Sequence, residues 1–243
     1  MAAFFVLEKG KMKTIVYIDG FNFYYGLLKA SSYKWIDYYS LFLNEVFPVV
    51  DSGFRPTELT VKLFTAPTKA NFHPKGEASA HAQSAFLRAL KYANPENSFE
   101  IILGNHLPSP SSVYPYCPSS PKRPHSFEKI RVWKLEEKLT DVQLSLCIYR
   151  DVVKGNCDQV VLCSNDSDMS PVLSCLREDY PSLPIGVVFP IQENGDGRRV
   201  SKELSERCTW SVTSVLEQWL INAQLPDRVK TGKKPIDKPE IWK

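Results

Sequence analysis

A three-layer α/β/α fold, with helices on both faces of a central and mainly parallel sheet, is what this sequence predicts. Short apolar runs alternate along the chain with longer stretches of helical periodicity, which is the pattern of βαβ units. One run, "VVLC" at Val160–Cys163, is apolar on consecutive residues, as a strand buried on both faces is. The chain also has the size for such a fold. Its 243 residues, 43% hydrophobic and 23% charged, can bury a substantial core.

The elements follow in order. "TIVYIDGFNFYYGLL" reads as a strand at Thr14–Ile18, a turn at Asp19-Gly20 and a helix from about Asn22. "IDYYSLFLNEVFP" reads as a helix capped by Asp37 and stopped at Pro48. "ELTVKLFTAP" is a strand, "EASAHAQSAFLRALKYAN" a helix and "FEIILGNHL" the next strand. A proline-rich insert, Pro108 to Pro124, precedes a short strand, "KIRVW". "KLEEKLTDVQLSLCIYRDVVKGN" carries the clearest helical signal. Leu135, Leu139, Val142, Leu146, Tyr149 and Val153 step by fours and threes along one face, and Gly155 stands where a C-terminal cap belongs. That stripe is the expected buried face. "QVVLC", a helix from Pro171, "IGVVF", the loop "PIQENGDGRRVS" and the helix "KELSERC" complete the alternation. The expected organisation is one domain over residues 12–223, an N-terminal extension at 1–11 and a C-terminal arm at 224–243. That arm is rich in Pro, Lys and Asp, without periodicity, and reads as laid on the surface or partly disordered.

Composition excludes some classes of function. No apolar run approaches the ~20 residues that span a bilayer, and the N-terminus lacks the pattern of a signal peptide. The six cysteines form no CxxC pair and no zinc-ligand spacing, so a reducing cytoplasm is the expected location. A net charge of +3 permits a nucleic-acid partner without requiring one.

The chemistry lies in the acids. Asp19 closes the first strand, and Asp166 and Asp168 follow the strand at Val160–Cys163 in "SNDSD". Asp141 lies near the start of the long helix, one turn after Glu137. In open α/β sheets the C-terminal strand ends are where ligands bind. Carboxylates gathered there repel unless a cation lies between them, and an all-oxygen set suits a hard divalent ion better than zinc. Each acid also has a plainer role. Asp19 and Asp168 can cap helices, and Asp141 gains from the helix dipole. Their convergence on one sheet edge favours a metal site. The loop "ENGDGRRVS" adds Arg198 and Arg199, which serve either phosphate binding or solubility. Tyr114, Tyr116, Lys122, Arg123 and His125 in the insert have the chemistry of single-stranded RNA contacts, though a plain hairpin tip explains them slightly better.

At "IVYIDGFNFYYG" and at "WKLEEKLTDVQLSLCIYRDVVKGNCDQVVLCSNDSDMSP" the chain resembles the NYN-domain family of the PIN-like nuclease fold, in particular its compact bacterial DUF88/LabA-like group. The likeness runs over nearly the whole chain from Met12. It implies a PIN-like architecture and an Mg²⁺- or Mn²⁺-dependent ribonuclease that hydrolyses RNA. Asp19, Asp141, Asp166 and Asp168 would hold the metal, Asn22 and Asn165 would assist, and Lys138 would contact phosphate or balance the acids. Cys147 departs from the polar residue frequent in that family. The alternative is an inert RNA- or partner-binding module of the same fold. A haloacid-dehalogenase site is excluded because Phe21 stands where a second Asp is needed, and a dinucleotide fold lacks its GxGxxG turn.

Overall fold

Strand β1 (Lys13–Asp19) is buried from Thr14 onward, because it lies at the centre of a six-stranded sheet. The computed structural model describes residues 12–119, 122–193 and 197–243, so the expected extension at 1–11 lies outside the described residues. Helix α1 (Gly20–Phe23) follows β1 at once and continues as a wide turn through Leu28. Only glycine fits at its start: a Cβ on Gly20 would stand 2.5 Å from the carbonyl oxygen of Phe64.

Helix α2 (Tyr38–Ser40) widens in the same way through Val46 and ends in a tight turn containing Pro48. As expected, Asp37 caps it, accepting from the backbone N–H of Tyr39 at 3.1 Å and of Ser40 at 3.3 Å. Strand β2 (Glu58–Thr65), helix α3 (Glu77–Ala93) and strand β3 (Phe99–Leu103) form a βαβ unit. An antiparallel ribbon of β4 (Asn105–Val113) and β5 (Ile130–Lys138) leads to helix α4 (Thr140–Val153). Then come β6 (Gln159–Cys163), α5 (Ser170–Asp179), β7 (Ile185–Val188), α6 (Lys202–Ser205) and β8 (Trp210–Val212). Helix α7 (Glu217–Asn222) and the short pair β9 (Arg228–Val229) and β10 (Ile236–Asp237) close the chain.

The main sheet has the order β3-β2-β1-β6-β7-β8, and every neighbouring pair is parallel. The chain steps outward in one direction from β1 to β3 and in the other from β6 to β8. The switch point therefore lies between β1 and β6, whose ends carry Asp19 and the Asn165-Asp166 turn. Alternation along β1 divides the core. Val16 and Ile18 face a layer that includes Phe23, Trp35, Phe42 and Phe86, while Ile15 and Tyr17 face Leu144, Ile148 and Leu173. The three-layer reading holds.

Three local expectations change. The long helix begins at Thr140, not near Lys134: residues 130–138 pair with β4, and Leu139 takes a left-handed φ of 79° that breaks the chain direction. Leu139, Val142, Leu146 and Val153 are consequently exposed. The buried face is Thr140, Leu144, Cys147, Ile148, Asp151 and Val152. The proline-rich insert is structured as far as Val113. Pro108 and Pro110 are tolerated because the ribbon is two-stranded and each strand has a free edge. The C-terminal arm belongs to the core, with Leu225, Val229 and Ile236 buried and the Trp242 ring packed against Trp35 and Phe86. Each such large apolar side chain contributes about 1.5–3 kcal/mol when fully buried. Among the described residues, no helix is long and apolar enough to cross a membrane.

Candidate active site

Four of the expected acids meet at the switch point. Asp19 is buried at 5% exposure and caps α1, one oxygen accepting from the Asn22 N–H at 2.9 Å and the other from the Ser164 hydroxyl at 2.9 Å. Burial raises its pKa, with smaller contributions from the charges of Asp141 and Asp166. Burial likewise raises Asp141, and Asp166 and Asp168 add to the effect. Asp166 turns back to accept from the N–H of Asp168 at 3.0 Å. The acids thus feel one another's charge, but several of their oxygens already serve as caps and turn acceptors. Among the described residues, no group of three or more His, Cys, Asp or Glu side chains is arranged to hold a metal ion.

The β4–β5 ribbon brings two more groups to this edge. His106 and Glu137 are directly paired across it, so their side chains share a face. Glu137 belongs to a strand and not, as expected, to the helix of Asp141. Its Oε1 is buried without a hydrogen-bond partner. Burial, supplemented by Asp141 and Asp19, pushes its pKa up to about 7. His106 is buried at 7% exposure, and its Nδ1 donates to the Pro67 carbonyl at 2.9 Å, which leaves Nε2 as the acceptor in the neutral ring. Glu137 was expected beside Asp141 on a helix, and His106 was not a candidate from sequence. The available signal was their position on two segments able to pair as a hairpin.

The remaining candidates have structural duties. Asn22 accepts from the Asn165 N–H at 3.2 Å, which ties α1 to the β6 turn. Asn165 spends its side chain on the backbone, donating to the Arg199 carbonyl at 3.0 Å and accepting from the Ser201 N–H at 2.8 Å. It anchors the loop rather than facing a ligand. Lys138 pairs with Glu136 at 2.6 Å on an exposed part of the ribbon, so it does not balance the acids. Arg198 and Arg199 are exposed, and Arg198 Nη1 reaches toward Gly26.

Beside the acids opens a cavity of about 630 Å³. Gly20, Phe21 and His106 line it, and the Phe21 ring meets the His106 ring edge-on at 5.2 Å, so the acidic edge and the cavity share a wall. Tyr25, Phe72, Phe86 and Trp242 supply further aromatic surface. Lys29, Lys34, Lys69 and Lys75 also line it, and no carboxylate among the described residues does. Leu135, expected on a helix, contributes from β5.

Glu137 yields a pH-dependent prediction. A carboxyl whose folded pKa lies above its ordinary value costs stability once ionised, so the penalty is absent at acid pH and grows as pH rises through about 7. Glu137→Gln is expected to leave stability unchanged below about pH 4.5 and to raise it by about 1–2 kcal/mol above about pH 8, after allowance for the half-exposed carboxyl. Urea unfolding at both pH values checks this. A variant that loses stability at the higher pH would mean that Glu137 is held by a favourable partner.

No protein-family model matches the chain. A curated relative, 6-hydroxy-3-succinoylpyridine 3-monooxygenase HspA of Pseudomonas putida, is 34% identical over 246 residues, spanning 97% of this chain and 77% of its own. A crystal structure of a protein of unknown function from Vibrio parahaemolyticus is 18% identical, covers 85% of this chain and 95% of that one, and has a TM-score of 0.47. Neither carries the name of the NYN family. The chain is an enzyme, but the relative overturns the ribonuclease expectation. A monooxygenase is an oxidoreductase, so the nuclease and its inert RNA-binding alternative are both withdrawn. The physical source of the error is general. Acids at a switch point mark where an α/β sheet binds ligands, and that location does not specify the reaction.

Proposed function

We propose that this chain, which belongs to the family of 6-hydroxy-3-succinoylpyridine 3-monooxygenase HspA, is a monooxygenase acting on an aromatic ring bound in the cavity beside the acidic edge. The relationship over 97% of the chain carries the reading. The cavity supports it, since its volume falls in the range of small-molecule sites and its walls are aromatic. Monooxygenation places one atom of dioxygen in the substrate and reduces the other to water with two electrons from a donor. The protein's own part is to bind and orient the ring, exclude water and manage protons.

Glu137 is suited to the last task. A carboxyl with a pKa of about 7 accepts or gives a proton near neutral pH, and its unpartnered Oε1 is free to do so. Glu137 does not line the cavity itself, so a proton from a ring hydroxyl such as that in the relative's substrate would reach it by way of His106, which does. His106, opposite Glu137 in the ribbon, offers Nε2 as a second acceptor, held in place by its bond to Pro67.

The test supplies purified protein with 6-hydroxy-3-succinoylpyridine, a reduced nicotinamide or flavin as donor, and isotopically labelled dioxygen. One labelled oxygen in the organic product is expected, at a rate cut by Glu137→Gln. A product whose new oxygen comes only from labelled water would overturn the proposal.

A further inference from the structure

The cavity is electrically lopsided. Its inner wall, at Gly20, Phe21 and His106, adjoins Asp19 and Glu137. Elsewhere it is lined by lysines, with no lining carboxylate among the described residues to neutralise them. Lys29 lies over the Tyr25 ring at 4.9 Å and has a partner there. Lys34 and Lys75 differ. They come from separate loops, neither forms an ion pair with a carboxylate among the described residues, and they are close enough to feel each other's charge. Burial and then the Lys75 charge lower the pKa of Lys34, and no carboxylate opposes either effect. Two cations converging on one aromatic cavity without a counter-ion form a place for an anion.

Resting on the monooxygenase reading, we infer that Lys34 and Lys75 bind a carboxylate on the substrate, so that the cavity selects aromatic acids and sets their orientation. The anionic arm lies toward the lysines and away from Asp19 and Glu137, which repel it. The ring then lies against Phe21 and His106, next to the acidic edge. Neutral ligands of the same shape gain the aromatic contacts and lose the ion pairs.

The test is a binding measurement that needs neither dioxygen nor a donor. Calorimetric titration compares 3-succinoylpyridine, which carries the carboxylate arm, with its primary amide. Wild-type protein is expected to bind the acid about tenfold more tightly than the amide, with a preference that shrinks as salt is raised. In the Lys34→Gln/Lys75→Gln protein the preference should vanish, with amide affinity unchanged and thermal unfolding showing a folded chain. Equal binding of acid and amide by wild type, or an undiminished preference in the double variant, overturns the inference. The two proposals fail separately. Selective binding without oxygen incorporation sinks the activity alone. Oxygen incorporation that ignores the lysines sinks only this inference.

Discussion

Replacing Asp151 with alanine is expected to destabilise the protein by about 3–5 kcal/mol, the largest effect among these predictions. Asp151 lies on the buried face of α4 at 2% exposure and receives four groups. Lys62 on β2 reaches it at 2.8 Å and Tyr17 on β1 at 2.9 Å; Cys147 donates at 3.5 Å and Asn156 at 3.0 Å. Burial alone would raise its pKa, yet Lys62 and the other donors hold it below the ordinary value. The carboxylate thus ties α4 to two central strands. Removing it leaves the Lys62 ammonium, itself 9% exposed, with the more exposed Glu100 at 3.4 Å as its remaining ion-pair partner and the Cys147 sulfur at 3.8 Å. The sign with pH follows. The contribution of Asp151 is complete above its unfolded pKa of about 3.9 and is lost as pH falls through the lower folded value. Urea unfolding of Asp151→Ala beside the double variant Lys62→Met/Asp151→Leu separates pair from packing. The double variant should recover most of the loss, since apolar replacement removes both buried charges. A single variant that loses under about 1 kcal/mol would show that Glu100 takes over the ammonium.

The parallel sheet was legible because its inner strands carry consecutive apolar residues. Every residue of β6 and of β7 is buried, as in strands covered on both faces. The acidic edge was legible for a related reason: strand-end acids sit where topology puts ligands, and Asp19, Asp141, Asp166 and Asp168 do share one neighbourhood. The lysine-lined cavity was not legible. Lys34 and Lys75 are separated by helix α2, strand β2 and the segments that join them, and only folding brings them to one wall. The pairing of Glu137 with His106 was hidden by the misplaced start of α4, which assigned a strand residue to a helix. The reaction was least legible, because the same carboxylates serve equally as helix caps, metal ligands or proton carriers.

Leu144→Ala is expected to cost about 2–5 kcal/mol, whereas Leu146→Ala, two residues on, should cost less than about 0.5 kcal/mol. Periodicity argues the reverse, since Leu146 belongs to the longer and more apolar stripe. The structure explains the inversion. The buried face of α4 includes Thr140, Cys147 and Asp151, residues that dilute its apolar signal while meeting specific partners beneath the helix. The outward face carries Val142, Leu146 and Val153, whose exposure of 54–65% leaves them little burial to lose. Leu144 is fully buried in the layer with Ile148, Leu173 and Tyr17, so its truncation removes contact area and leaves a cavity. Denaturant midpoints for the two single variants decide the matter. Equal losses would mean that both faces of α4 are covered in solution, and a larger loss at Leu146 would place the helix the other way round on the sheet.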